Sequence, residues 1–332
     1  MYESFYQLKE KPFNLTPDPK FIYFTERHCE ALANLVYGIR ERKGFLVLSG
    51  EVGTGKTTLV NALLDTLDRT GVLSAFIFNP ILTSTEFFEF LLADLNLKAD
   101  TRSKSQCLIK LNALLLERYR AGQVTVLIVD EAQNLSAEIL EEIRLLTNLE
   151  TSTEKLLQIV LVGQPELSLK LNSPELRQLK QRISLRCHLE PLSFSETREY
   201  IKTRLEIAGL PSQEIFSDAC IGEIFRRTGG IPRLINTLCD NAMVTGYACD
   251  LPTVTLEIIA EVADDLEIFP DLRDHSGYSR GSRFANGPKN GSKRDERIPA
   301  GSPDASAPAR PQDAQSFDLF VQFVDNLRDR DR

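Results

Sequence analysis

The sequence predicts an α/β fold in which a mainly parallel five-stranded sheet carries helices on both faces and a small all-helical domain follows. Three observations predict it. Short apolar runs alternate with helical stretches as far as residue 190, which is typical of parallel strands joined by helices. From about 193 to 265 only helical periodicity continues. Near Pro270 the composition changes to Gly, Ser, Pro, Arg and Asp, which bury too little apolar surface to fold.

We therefore divide the 332 residues into five segments. An N-terminal arm and helix, residues 1–42, is expected to pack on the α/β core, which spans 43–190. A helical lid follows at 191–268. Residues 269–316 are expected to be a disordered linker. Apolar side chains spaced among Asp and Arg then predict an amphipathic helix at 317–330.

The individual elements follow from periodicity and from turn residues. A proline-punctuated stretch at 12–19 should be extended, because proline disfavours helix in the residue before it. The expected strands lie at 45–48, 73–78, 124–129, 156–162 and 183–189. The expected helices lie at 26–42, 56–69, 83–121 (two helices), 136–149, 166–181, 194–208, 217–228, 232–248 and 255–266. Ser136 should cap its helix, since its hydroxyl can accept from a first-turn N–H group.

Composition and charge bound the class of protein. No run approaches the ~18 apolar residues of a membrane-spanning helix, and the N-terminus lacks the basic-then-apolar layout of a secretory signal. We therefore expect a cytoplasmic protein. The net charge of −8 gives no overall positive potential that would attract nucleic acid, and a local basic patch is the alternative that this value leaves. The six cysteines form no C-x-x-C pair, so free thiols are expected rather than a metal site.

A glycine-rich loop joins the first predicted strand to its helix. Residues 50–58 read Gly-Glu-Val-Gly-Thr-Gly-Lys-Thr-Thr, which is a complete phosphate-binding P-loop. Its glycines let successive N–H groups point at phosphate oxygens, Lys56 can reach the β- and γ-phosphates, and Thr57 can offer its hydroxyl to Mg²⁺. The predicted nucleotide-binding residues of the loop are Gly50, Glu51, Val52, Gly53, Thr54, Gly55, Lys56, Thr57 and Thr58. The chain is therefore expected to bind ATP with Mg²⁺.

An acidic pair ends the strand at 124–129. There Asp130 can hold Mg²⁺, and Glu131 can orient and polarise the attacking water. The extra strand between the P-loop and this pair places the acidic strand two sheet positions from the P-loop in sequence order. Gln164, at the end of the next strand, can contact the γ-phosphate or the water. Asn79, after the strand at 73–78, can hydrogen-bond Glu131 and hold it inactive; a simple strand-end cap is the alternative for both.

Arginines suggest that a second subunit completes the site. Arg177, Arg182 and Arg186 precede or enter the last strand, where an arginine can reach a neighbouring subunit's γ-phosphate. We choose Arg182, with exposed, solvated arginines as the alternative, and therefore expect a homo-oligomer. In the lid, Pro232 starts a helix with Arg233 close behind, which would aim Arg233 at the nucleotide as a lid sensor.

Together these residues resemble the AAA+ ATPases, P-loop NTPases that carry their own catalytic glutamate. More closely, the chain is similar to the general secretion pathway protein A (ExeA-like) family, including members associated with PEP-CTERM and exopolysaccharide loci. The resemblance covers residues 1 to about 265 and is carried by the segments 1–6, 12–19, 28–38, 50–58, 130–133, 145–150, 163–167 and 230–233. It implies the Walker A role for Lys56 and Thr57, Walker B for Asp130 and Glu131, sensor 1 for Gln164, the arginine finger for Arg182 and sensor 2 for Arg233.

The resemblance leaves two functional hypotheses. The first is an assembly-dependent ATPase that energises or regulates an envelope secretion or polysaccharide-export system. Family members often continue into a transmembrane segment and a peptidoglycan-binding domain; here the segment 317–330 would instead dock on an inner-membrane protein partner, with docking on the chain's own core or on lipid as alternatives. The second hypothesis is a DNA-associated ATP switch resembling TniB-like transposition regulators. The acidic net charge favours the first.

Overall fold

The computed structural model describes residues 1–14, 19–78, 81–98, 103–210 and 214–268. The predicted linker at 269–316 and the predicted helix at 317–330 lie outside these residues, so both stay predictions. The described residues belong to one compact unit.

Within the described residues, five strands form a single parallel sheet, as predicted. They are β1 (Phe45–Gly50), β2 (Leu73–Ile77), β3 (Thr125–Val129), β4 (Leu157–Gly163) and β5 (Leu185–Leu189). Their order across the sheet is β2-β3-β4-β1-β5, and each neighbouring pair is parallel. The acidic strand β3 is two positions from the P-loop strand β1. The strand between them in space is β4, whereas β2, which lies between them in sequence, is at the sheet edge.

The described residues also contain twelve α-helices, and side-chain hydrogen bonds cap the N-termini of several of them. They are α1 (Tyr2–Phe5), α2 (Glu26–Arg40), α3 (Lys56–Arg69), α4 (Ser84–Asp94), α5 (Lys104–Arg120), α6 (Ala137–Leu146), α7 (Pro165–Leu171), α8 (Arg177–Lys180), α9 (Phe194–Ile207), α10 (Asp218–Thr228), α11 (Pro232–Ala248) and α12 (Leu256–Asp265). Ser136 caps α6 as predicted. This helix ends three residues before the predicted Leu149, because Glu150 and Lys155 pair in an antiparallel bridge that reverses the chain into β4.

Helices cover both faces of the sheet. Helices α2 and α3 pack on one face, where α2 contacts β1 and β5. On the other face, Phe45 and Val47 of β1 join a core to which α4, α5, α6, α7 and α8 contribute. The strands are buried along their length in the middle of the sheet, which is why they read as continuous apolar runs rather than alternating ones.

The helical lid has a core of its own, and the N-terminal arm belongs to it. Tyr2, Tyr6, Phe13 and Phe21 are buried among side chains of α9, α10, α11 and α12. The guanidinium of Arg204 in α9 fixes the arm, because Nε donates to the Pro12 carbonyl at 2.6 Å and the group lies over the Phe21 ring. The aromatic side chains of the arm thus pack with the lid helices, whereas α2 contacts β1 and β5.

Within the part of the chain that the structure describes, no helix is both long enough and apolar enough to cross a membrane.

Candidate nucleotide-binding site

The P-loop turns directly from β1 into α3. Gly53 and Gly55 have φ angles of +82° and +97°, in the left-handed region that only glycine adopts without strain. The loop leaves Val52 exposed at its tip, while Glu51 anchors it through its carbonyl, which accepts from the Thr54 hydroxyl at 2.8 Å. The first-turn N–H groups of α3, which have no partner within a helix, are the groups available to phosphate oxygens.

Lys56 lies inside the loop that it follows. Its side chain is buried, and Nζ donates to the carbonyls of Gly50 and Glu51, each at 2.8 Å. Burial lowers the pKa of Lys56, and the carboxylates of Glu131 and Asp130 act in the opposite direction. The ammonium group is thus held by neutral carbonyls in the space where phosphate oxygens would bind, close to the acidic end of β3.

The two predicted magnesium ligands lie together. Burial raises the pKa of Asp130, and the charge of Glu131 adds to this less strongly, whereas the nearby Thr57 hydroxyl acts in the opposite direction. Among the described residues, no cluster of three or more His, Cys, Asp or Glu side chains is arranged for a metal. A hydroxyl and one carboxylate are nevertheless the donor set that suits Mg²⁺ in nucleotide sites, because phosphates and waters supply the other ligands. The residues present therefore fit Mg²⁺ bound with a nucleotide.

Glu131 is held by two side-chain amides. Gln164, the predicted sensor, donates from Nε2 to Glu131 Oε2 at 3.1 Å. Gln133 donates to the same oxygen from its own Nε2. Sequence reasoning missed Gln133 as a site residue, although it stands only two positions after Glu131 in the Asp-Glu-Ala-Gln run. Asn79, the other predicted partner of Glu131, lies outside the described residues, so its role stays a prediction.

Arg182 lies near the amino ends of the strands, whereas the P-loop follows the carboxyl end of β1. It precedes the amino end of β5, where the N–H of Ser184 donates to the carbonyl of Phe45. Its Nη1 donates to the hydroxyl of Thr147 and, at 3.3 Å, to the carbonyl of Arg144. The structure therefore does not bring Arg182 to the nucleotide loop of its own chain. The two alternatives, Arg177 and Arg186, are exposed.

The lid touches the P-loop where α11 begins. The backbone N–H of Arg233 donates to the carbonyl of Gly53 at 3.3 Å, and a Cβ added to Gly53 would lie 2.7 Å from the Arg233 Cβ. The Arg233 side chain is exposed beside the loop. The structure thus brings the predicted sensor to the P-loop, and Gly53 is needed both for its positive φ and for this close approach.

Comparison with known proteins agrees with this geometry. The AAA domain family matches residues 39–171. General secretion pathway protein A from Aeromonas hydrophila is 46% identical over 249 residues, which cover 75% of this chain and 45% of that protein. The chain belongs to the ExeA-like family of AAA+ proteins. It spans less than half the length of this relative, so the activity and partners of the whole relative do not transfer directly.

Solved structures share the fold of this ExeA-like protein at low sequence identity. Cdc6p from Pyrobaculum aerophilum is 19% identical with a TM-score of 0.59, over 78% of this chain and 70% of that one. The ORC2 protein of Aeropyrum pernix is 17% identical with a TM-score of 0.56, over 77% of this chain and 72% of that one. These likenesses concern the fold alone, and they confirm the predicted P-loop NTPase architecture.

A buried histidine supports the P-loop of this ExeA-like protein from α2. The ring Nε2 of His28 lies 3.1 Å from the carbonyl of Thr54, and Nδ1 lies 2.7 Å from the hydroxyl of Thr25. The same hydroxyl accepts from the His28 N–H and so caps α2. A donor at Nε2 and an acceptor at Nδ1 satisfy both contacts with a neutral ring. Burial lowers the pKa of His28, partly offset by the Thr54 carbonyl.

We expect His28 to make stability depend on pH. Its pKa is below the ordinary 6.5 in the folded state, so the unfolded chain takes up a proton first as the pH falls. Folding stability is therefore full above about pH 6.5 and declines below it. In a His28→Gln variant this decline should be smaller. Urea unfolding between about pH 5 and 8 measures the unfolding free energies of the parent and of the variant, and the difference between them should become smaller as the pH falls. A difference in unfolding free energy that does not change with pH would contradict the assignment.

Proposed function

We propose that this protein hydrolyses ATP with Mg²⁺ as cofactor. One observation carries the proposal: Asp130 and Glu131, at the carboxyl end of β3, lie close enough to Lys56 of the P-loop to favour its charged form. The P-loop and the acidic pair, which are about seventy residues apart in sequence, thus lie together at the carboxyl ends of the strands. The ORC2 protein of Aeropyrum pernix, whose fold is similar, is known in ADPNP and ADP complexes, which supports an adenine nucleotide.

The proposed chemistry assigns one role to each group of residues. The loop N–H groups and Lys56 would bind the phosphates, and Thr57 with Asp130 would hold the metal ion. Mg²⁺ would neutralise charge on the β- and γ-phosphates. Glu131 orients the attacking water and withdraws its proton, with Gln164 beside it. Phosphoryl transfer needs mainly positioning and charge stabilisation, so these groups suffice on the nucleotide's own side.

We further propose that turnover depends on a homo-oligomer. An arginine from a neighbouring subunit would stabilise charge in the transition state, a contribution of about 10³–10⁵-fold in related phosphoryl-transfer sites. Arg182 remains our choice, but its contacts with Thr147 and Arg144 must then break on assembly. The exposed Arg177 and Arg186 need no such change, which makes both worth testing beside it.

The process that ATP hydrolysis serves is proposed from the relative's name. General secretion pathway protein A suggests that this chain energises or regulates an envelope secretion or export system. The predicted helix at 317–330 would provide the contact with an inner-membrane partner. A DNA-associated switch is the alternative, because an origin recognition complex of similar fold has been solved on DNA. The net charge of −8 favours the first.

The test is the ATPase rate per subunit as a function of protein concentration, with and without added DNA or membranes. We expect the rate per subunit to rise with concentration and to be indifferent to DNA. A Lys56→Ala variant, which loses the phosphate-binding ammonium, should show no activity and controls for contaminating ATPases. A rate independent of concentration would contradict assembly dependence, and a salt-sensitive stimulation by DNA would support the alternative.

A further inference from the structure

We propose that Gln133 is the positioning residue for the Glu131 carboxylate. The inference rests on the proposed function, because it assigns a role within that same site. Gln133 and Gln164 together grip one oxygen of Glu131 and leave the other oxygen for the attacking water. Gln133 does not need to touch the nucleotide in this role; it acts through Glu131.

The orientation of the Gln133 amide is fixed by its neighbours. Its Oε1 accepts from the backbone N–H of Gln164 at 3.1 Å. Its Nε2 must then face the other way, and there it donates to Glu131 Oε2. A flipped amide would set its carbonyl oxygen against the carboxylate and its NH₂ group against an N–H, so both contacts would become repulsive. Only one orientation of the amide therefore makes both hydrogen bonds, which link the end of β4 to the Glu131 carboxylate.

The backbone around Gln133 is also held in place. It belongs to a short turn, Ala132–Asn134, in which Ala132 is fully buried. The Gln133 carbonyl accepts from Lys170 Nζ at 3.0 Å, which ties this turn to α7. At Gly163 an added Cβ would lie 2.7 Å from the Gln133 Oε1. The end of β4 thus has no side chain at the point where the amide must pass.

Glu131 itself reaches this position through an unusual backbone conformation. Its φ of +50° is in the left-handed region, and its N–H donates to the neighbouring Asp130 Oδ1 at 2.8 Å. Among the described residues, the side-chain hydrogen bonds to its carboxylate come from Gln133 and Gln164, and both end on Oε2. Glu131 Oε1 is therefore the carboxylate oxygen that is left to accept a hydrogen bond from the attacking water. Two neutral donors fix the carboxylate without placing a second charge near the phosphates.

Two substitutions at Gln133 test this role. Gln133→Met keeps the length of the side chain and removes both polar contacts. We expect kcat to fall about 10–100-fold, as for the loss of a hydrogen bond to a charged group, with the nucleotide Kd within about twofold of the parent. Gln106→Met, at an exposed position in α5, is the matched control and should leave kcat unchanged.

Gln133→Glu gives a readout that a merely structural role would not move. It keeps an acceptor for the N–H of Gln164 and replaces the donor to Glu131 Oε2 by a carboxylate oxygen. We expect kcat to fall at least as far as in Gln133→Met, because the contact with Glu131 is lost while the contact with the end of β4 is kept. A parental kcat in Gln133→Glu, or a Gln133→Met variant that loses nucleotide binding in step with kcat, would overturn the inference.

The Glu131→Gln variant separates this inference from the proposed function. If the parent protein shows no ATPase activity, or if Glu131→Gln turns over ATP at the parental rate, the proposed function or its base fails. If Glu131→Gln is inactive while Gln133→Met keeps the parental kcat, the role of Gln133 alone fails. Activity lost in both variants, with nucleotide binding retained in both, supports the inference.

Discussion

Replacement of Glu131 by glutamine is expected to lower ATP turnover about 10²–10⁴-fold, the usual contribution of a general base. The uncharged amide cannot take a proton from the attacking water. It can still present its carbonyl oxygen to the amides of Gln133 and Gln164, so the loop at the end of β3 should keep its conformation. Nucleotide affinity should stay close to that of the parent, because Lys56 and the P-loop are unchanged. Phosphate release and equilibrium binding of a fluorescent ATP analogue measure the two quantities.

Glu138→Gln is the matched control for this experiment. Glu138 is exposed in the first turn of α6, seven positions from Glu131. Its replacement by glutamine changes the net charge of the protein by the same amount as Glu131→Gln does. It should leave turnover at the parental value. Hydrolysis by Glu131→Gln at the parental rate would show that another group activates the water, and hydrolysis lost together with nucleotide binding would show that Glu131 supports the loop rather than the chemistry.

Gly230→Ala is expected to cost about 3 kcal/mol or more of unfolding free energy. Gly230 has a φ of +77°, and an added Cβ would lie 1.9 Å from the carbonyl oxygen of Leu192. The Leu192 N–H donates to the Gly230 carbonyl at 2.9 Å, so the two backbones cannot separate without losing this contact. The strain would act where the chain enters the lid and where α11 turns toward the P-loop.

The neighbouring glycine provides the control. Gly229 also has a positive φ, +59°, but an added Cβ would meet no atom within 4 Å. Gly229→Ala should therefore cost only the left-handed conformation itself, about 1–2 kcal/mol. Urea denaturation of the two variants, followed by circular dichroism, measures both values. Equal losses would mean that the contact with Leu192 contributes nothing beyond the backbone conformation.

Much of the fold could be predicted because its signals are local. Strands buried on both faces read as apolar runs, and the glycines and lysine of the P-loop stand next to each other in sequence. The end of α6 could not be predicted in the same way, since helical periodicity continues past Leu146 and only the bridge between Glu150 and Lys155 stops it. The partner of the arm could not be predicted for a similar reason. Its aromatic residues signal burial, but nothing local tells which core will receive them.

The missed site residues depend on contacts between distant positions. His28 reaches a carbonyl 26 positions away, and the amide of Gln133 is oriented by an N–H 31 positions away. The contact of Gln133 with Glu131 also needs a left-handed residue at 131 and a glycine at 163, and neither requirement is visible in a motif. Arg182 lies just before β5, as its place in the sequence indicates, but its bond to Thr147, 35 positions away, could not be predicted.

The packing of the arm into the lid also sets an order of events during translation. The Tyr2 hydroxyl bonds to Asp240, 238 positions later, and the Tyr6 hydroxyl lies 3.3 Å from the Met243 carbonyl. At about 5–20 residues per second, the arm leaves the ribosome tens of seconds before α11 exists to receive it. Its aromatic side chains lack their folded partners for that time. A nascent chain therefore cannot complete the packing of its N-terminal arm until the lid has been made.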